Sequence, residues 1–256
     1  MKLFRRYIGI DYSGAKIPTC RLKALQVYMA THGTEPEKII TPVGHGWNWT
    51  RKEIANWCVA ELAAGEPIII GIDHGFSFPV SYMQRYELRT WDAFLRDFHI
   101  HWPTDEDDTS IDFLRENNPR TGNAQDLRIC EKWTATAKSV FLFDVQGAVA
   151  KASHAGIPWL QYIRDKPHLK GRLHFWPFDG FEIPPKKSVI AEVYPSLFRR
   201  RHPRGSRTVD EHDAWSIAMW LMAMDQRGVL ADYFNPPLLL PERRTAKIEG
   251  WILGVY

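Results

Sequence analysis

The sequence predicts an α/β domain built on a mixed sheet, and three observations carry that reading. Two apolar runs, "RYIGID" over 6–11 and "PIIIGID" over 67–73, each end on an aspartate, Asp11 and Asp73. Three turn-separated runs, over 6–12, 21–30 and 37–43, follow one another closely, as in an antiparallel meander. A helical pattern over 50–65 then separates that meander from the second aspartate-ended run. A helix between separate strands implies a crossover to a parallel neighbour.

Taken in order, the strand over 6–12 comes first, and turn residues such as Gly33 and Pro36 separate the next two. Thr50 reads as the N-cap of the helix over 50–65, with Glu53 completing a capping box and Gly65 stopping it. The run over 67–73 does not alternate, so it reads as a strand buried on both faces. Residues 80–98 are predicted as one helix and 101–110 as a polar loop. A further helix is expected over 146–165, with a break near Gly156 and Pro158, and a returning strand over 172–178. Together 80–187 reads as a mostly helical insertion or cap. A strand over 187–195 and a helix over 212–224 close the pattern. That helix carries no charge between Asp213 and Asp225, so it is buried on several sides.

At 256 residues, with 45% hydrophobic and 25% charged content, the chain can bury a sizeable core, and a single domain over 1–256 is expected. A net charge of +3 by itself demands no partner. Cys20, Cys58 and Cys130 are scattered, without a Cys-x-x-Cys pair. That argues against a disulfide framework or a zinc site and fits a reducing cytoplasm. The N-terminal "MKLFRRYIGID" lacks the long apolar core of a signal peptide. No run of about 18 apolar residues is present, so no membrane span is expected.

Acids stand at special positions in four places: Asp11, Asp73, Glu192, and the pair Asp210 and Asp213. Each has a plainer alternative. Asp11 and Asp73 suit turns ahead of Gly14 and Gly75. Glu192 suits an outward-facing edge position. Asp210 and Asp213 have the spacing of an N-cap and its N3 acid. Taken together they suit chemistry. A carboxylate at a buried strand end is costly unless compensated, packed carboxylates repel one another, and Mg2+ or Mn2+ takes oxygen ligands. Two such ions about 3.5–4 Å apart activate water and stabilise the leaving oxygen in phosphodiester cleavage. Residues three apart share a helix face, so Asp210 and Asp213 point together if the helix begins early enough. Gly14 and Gly75 would leave room for a phosphate.

"IGIDYSGA", "IIIGIDHGFSFP", "IAEVYPSLFRR", "DEHDAWSIA" and "KIEGWILGV", in this order, resemble the predicted RNase H-like nucleases called domain of unknown function 429. The resemblance covers most of the chain. It implies an RNase H-like fold, a mixed sheet of about five strands, the first three antiparallel and the rest parallel, flanked by helices. It implies Asp11 on the first strand, Asp73 on the fourth and Asp213 on the closing helix. Asp210 and Asp213 are similar to the paired acids of Holliday-junction resolvases, and Glu192 matches the family's Glu-Val-Tyr-Pro motif. The expected catalytic residues are Asp11, Asp73, Glu192 and Asp213, and the expected metal ligands Asp11, Asp73, Asp210 and Asp213, holding two Mg2+ or Mn2+ ions.

"FRRRHPRGSR" over 198–207 brings Arg199, Arg200, Arg201, Arg204 and Arg207 just ahead of the acidic helix. Charge could hold a nucleic-acid backbone there; a solvated loop is the plainer reading. Trp47, Trp49 and Trp102 could stack on bases, against core or cap packing. His99, His101 and the acids of 105–108 suit a second metal site or a solvated loop. Arg120, Arg128 and Glu131 are placed on the substrate side of the insertion. The leading function is a metal-dependent nuclease acting on DNA or RNA. The alternatives are an ATP-dependent phosphotransferase of the actin and hexokinase type, for which "DYSG" and "DHG" could pass as phosphate loops, and a catalytically inactive nucleic-acid-binding protein.

Overall fold

The computed structural model describes residues 2–42, 48–134, 136–145 and 149–256. Its six strands are β1 (Arg6–Asp11), β2 (Gln26–Thr31), β3 (Glu37–Lys38), β4 (Ile68–Asp73), β5 (Leu173–Trp176) and β6 (Ser188–Glu192), in the sheet order β3-β2-β1-β4-β6-β5. β1, β2 and β3 pair antiparallel, whereas β1 with β4, β4 with β6, and β6 with β5 pair parallel. The antiparallel-then-parallel pattern is therefore as expected, but the strands number six rather than about five. The sixth is β5, the returning strand expected over 172–178, which joins the sheet at its parallel edge and buries His174, Phe175 and Trp176.

The helices are α1 (Arg51–Ala63), α2 (Val80–Arg85), α3 (Trp91–His101), α4 (Ile111–Arg115), α5 (Ile129–Lys132), α6 (Ala150–Arg164), α7 (Val209–Gln226), α8 (Leu230–Tyr233) and α9 (Leu240–Glu249). α1 begins and ends as its sequence dictates. Thr50 accepts from the Glu53 N–H, the Glu53 carboxylate accepts from the Thr50 N–H, and Gly65 follows at φ +96°. The segment between β4 and β6 carries α2 to α6 and β5.

Several boundaries differ from expectation, among them α7, which starts at Val209 rather than 212, and β6, which ends at Glu192 rather than 195. β2 starts at Gln26, because Leu22 is instead bridged to Trp49. β3 is only two residues long; Val43, at the end of its expected run, lies outside the described residues. The single helix expected over 80–98 is two, since Glu87 adopts φ +57° and Thr90 caps a new start by accepting from the Ala93 N–H. Conversely, α6 runs unbroken through Pro158. A proline there leaves the carbonyl four residues back without its helical donor. That carbonyl belongs to His154, and the buried Thr104 hydroxyl donates to it at 2.6 Å. Residues 146–148 of the expected helix lie outside the described residues.

The sheet is covered on both faces. Ile8, Ile10, Ile70, Ile72 and Ile190 pack on the side of α1, α3 and α6. Tyr7, Ile69, Val189 and Ala191 pack on the side of α7. Two register-paired glycines let α7 lie close against the sheet. A Cβ on Gly9 would sit 2.1 Å from the Ala214 carbonyl oxygen, and one on Gly71 would sit 2.7 Å from Ile217 Cγ2.

Candidate functional site

Asp11 and Asp73 are direct register partners at the carboxyl ends of β1 and β4. Parallel neighbours lie about 4.8 Å apart, and side chains alternate along a strand. Each aspartate stands two residues beyond its glycine, so both lie on the α7 face. α7 begins early enough to bring further acids to that edge. Its cap is Thr208, which accepts from the Glu211 N–H while the Glu211 carboxylate accepts from the Thr208 N–H. Asp210 and Asp213 are therefore inside the helix, three apart on one face; neither is the cap, and although Asp210 in the first turn suits the helix N-terminus, Asp213 lies beyond it.

Asp213 is 7% exposed. Its Oδ2 accepts from Arg199 Nη1 at 2.7 Å, while its buried Oδ1 has no hydrogen-bond partner among the described residues. Burial raises the Asp11 carboxyl well above the usual range. Asp73, Asp213 and Asp210 raise it further, while Arg199 opposes. Burial likewise raises Asp73 well above that range, helped by Asp213 and Glu192 and opposed again by Arg199. Asp213 is raised by burial against the pull of Arg199, and Asp210 is raised by burial and Glu211. Asp11, Asp73, Asp210 and Asp213 thus share one electrostatic neighbourhood with a single guanidinium, Arg199, acting on three of them. As they stand, no three His, Cys, Asp or Glu side chains among the described residues are arranged to hold a metal ion.

These raised carboxyls give a pH prediction for the metal-free protein. A group with a folded pKa above its unfolded value of about 3.8 takes up protons on folding. Its contribution is present at low pH and is lost as pH rises through the raised folded value. The stability difference between wild type and Asp73→Asn should therefore move against wild type as pH climbs from about 4 toward neutrality in chelator. A difference that stays flat, measured by urea unfolding of both proteins, would refute the raised pair.

Glu192 is placed differently. It pairs in register with Ile72, not Asp73, and its side chain therefore leaves the opposite face. β6 lies inside the sheet, so the outward-edge alternative also fails. Arg128 compensates Glu192, donating from Nη1 to Oε2 at 2.7 Å and from Nη2 to Oε1 at 2.5 Å, and the Phe76 N–H adds a bond to Oε2. Arg128 also donates from Nε to Glu131. Glu249 accepts from the Val80 and Ile129 N–H groups. Arg128 thus belongs to a buried ion cluster beside the strand ends. The readable signal for it is the pairing of Arg128 with Glu131 three residues on. Nothing in the sequence links either residue to Glu192. Arg120 instead pairs with Asp97.

The space beside the strand-end glycines is filled. A Cβ on Gly14 would meet the Lys151 carbonyl oxygen at 2.0 Å, and one on Gly75 would meet Ser153 Oγ and Val140 Cγ1 at 2.9 Å. These glycines admit α6 and its neighbours rather than a phosphate. The loop after Asp11 is held from below by buried Arg51, which donates to the carbonyls of Ser13, Ala15 and Lys16.

In the arginine loop, Arg200, Arg201 and Arg204 are exposed. Arg207 lies over the Trp215 ring at 4.1 Å and donates to the Pro203 carbonyl. The loop is anchored by buried Phe198, stacked on Trp220 at 4.9 Å. Trp49 and Trp102 are buried, and each indole N–H bonds a backbone carbonyl, so neither offers a face to a base. Trp47 lies outside the described residues. His99 lies 3.3 Å from Asp105, and His101 bonds the Asp97 carbonyl. The three cysteines are free. Among the described residues no helix is long and apolar enough to cross a membrane. Comparison with protein-family models, curated proteins and solved structures finds no match.

Proposed function

We propose that the chain is a divalent-metal-dependent nuclease with an RNase H-like core, working in the cytoplasm on nucleic acid. One observation carries the reading: Asp11 and Asp73 are register neighbours at the ends of two parallel strands, and α7 delivers Asp213 and Asp210 to the same edge. The donor set suits Mg2+ or Mn2+, because it consists of carboxylate oxygens. The unpartnered Oδ1 of buried Asp213 and the raised carboxyls of Asp11 and Asp73 are what a site short of positive charge displays.

Asp11, Asp73, Asp210 and Asp213 would hold the ions. Two ions, when bound, supply an activated water and stabilise the leaving oxygen. Glu192 enters as a positioning residue. With both oxygens engaged by Arg128 and the Phe76 N–H, it fixes the turn that follows Asp73. Arg200, Arg201 and Arg204 draw the phosphate backbone toward the acids. The filled space beside Gly14 and Gly75 counts against nucleotide phosphate loops at these turns, and so against the phosphotransferase alternative.

The direct test is a panel of labelled single-stranded, duplex, hybrid and branched DNA and RNA incubated with Mg2+ or Mn2+. Cleavage that needs the metal supports the reading, and its absence across the panel removes it. Binding offers a separate check. Replacing Arg200, Arg201 and Arg204 together by Ala should weaken nucleic-acid affinity and flatten the slope of log K against log salt by roughly 2–3. An unchanged slope would leave these arginines as a solvated turn.

A further inference from the structure

Arg199 stands where the acidic edge needs positive charge. Its main chain is fixed, since its carbonyl bonds His212 Nε2 at 3.0 Å within the 3-10 turn Arg199–Arg201. Its guanidinium, by contrast, is held at one point. Nη1 donates to Asp213 Oδ2, and its other donors carry no hydrogen bond to the described residues. The side chain keeps 35% of its exposure. Arg128 on the opposite face differs on every count: it is buried and bonds Glu131, Glu192 and the Glu249 carbonyl. One arginine is thus built in as structure, and the other is tethered at an open edge. The Asp213 oxygen that Arg199 leaves free is buried and has no hydrogen-bond partner among the described residues.

We infer that Arg199 is an exchangeable internal counter-ion. It neutralises the Asp11, Asp73 and Asp213 edge in the metal-free protein and competes with the divalent cation for it. This rests on the nuclease reading, because it presumes that these acids take a metal. When the cation arrives, Arg199 is released from Asp213. Its main chain stays anchored, so the freed guanidinium remains beside the edge, where a phosphate oxygen of the substrate can receive it. The same residue therefore sets metal affinity and then serves phosphate binding. Arg200, its exposed neighbour, makes no bond to Asp213, and its charge is screened by solvent from the acids.

The test is Mn2+ binding to the whole protein by titration calorimetry, with no nucleic acid present. Arg199→Gln should bind Mn2+ roughly tenfold more tightly or better, because a competing charge within about 4 Å is gone. Arg200→Gln should stay within about twofold of wild type. In chelator Arg199→Gln should melt lower than wild type, yet gain more from Mn2+. If the glutamine variant does not fold, Arg199→Met, which keeps most of the stem, takes its place with the same expectation. Unchanged or weaker Mn2+ affinity in the Arg199 variants, with wild type binding normally, overturns the counter-ion role and leaves the nuclease reading standing. Tightening by Arg200→Gln to the same extent also overturns it, since bulk charge would then be the cause. Failure of wild type and all variants to bind Mn2+ removes both.

Discussion

Asp73→Asn should lower metal-dependent cleavage roughly 1,000-fold or more while raising the melting temperature in chelator by roughly 3–6 °C. The two effects have one origin. Asp73 is a half-buried carboxylate directly beside Asp11; burial, then Asp213 and Glu192, disfavour its ionised form, and its own charge in turn raises Asp11. An amide of the same shape removes the repulsion and lets Asp11 return toward the usual carboxylate range. It also removes one ligand oxygen's charge, which is why Mn2+ should stabilise wild type more than the variant. Differential scanning calorimetry with and without Mn2+, beside a cleavage assay, separates the outcomes. A folded Asp73→Asn protein that cleaves like wild type would end the proposed mechanism. One that melts lower in chelator would show that the acids are satisfied without a cation.

Gly9→Ala should destabilise the protein by about 3 kcal/mol or more. The new Cβ would sit 2.1 Å from the Ala214 carbonyl oxygen, 2.7 Å from the Ala218 nitrogen and 2.8 Å from Ile217 Cβ. Two of these are backbone atoms inside a helix and cannot swing aside, so α7 must move outward and carry Asp213 away from Asp11. Gly71→Ala should cost less, because its close neighbours are the Ile217, Val193 and Leu221 side chains. Urea unfolding ranks the pair. Equal or reversed stability losses would mean that α7 does not rest on β1 as closely as described.

Both glycines were in plain view as the "IGID" repeated at residues 8–11 and 70–73. The aspartates are legible because a charge ending an apolar run is unusual, and their pairing follows once the strands are parallel neighbours. The α7 placement is legible from its uncharged length. The facing of Glu192 is not, because a shift of one residue in register moves a side chain to the other face, and no local signal fixes the β4–β6 register. Arg128 is invisible for a related reason: its partner Glu192 lies 64 residues away. Pro158 misleads as a helix breaker because its compensation comes from Thr104, which only the tertiary structure brings near. The mid-region break after Arg85 was readable in principle, since "TWDA" carries a capping threonine followed by an acid in the first turn.

The edge is assembled from both ends of the chain. Beyond α9 the backbone returns to β6, where the Leu253 N–H bonds the Glu192 carbonyl at 2.9 Å, and Glu249 ties down the starts of α2 and α5. During synthesis at about 5–20 residues per second, Asp213 leaves the ribosome roughly 10–40 s after Asp11. A growing chain in that interval carries Asp11, and then Asp73, without α7 to cover them or Glu249 to fix the turn beyond β4. On the nuclease reading, a growing chain therefore holds no complete cation edge until α7 has been made and packed on β1.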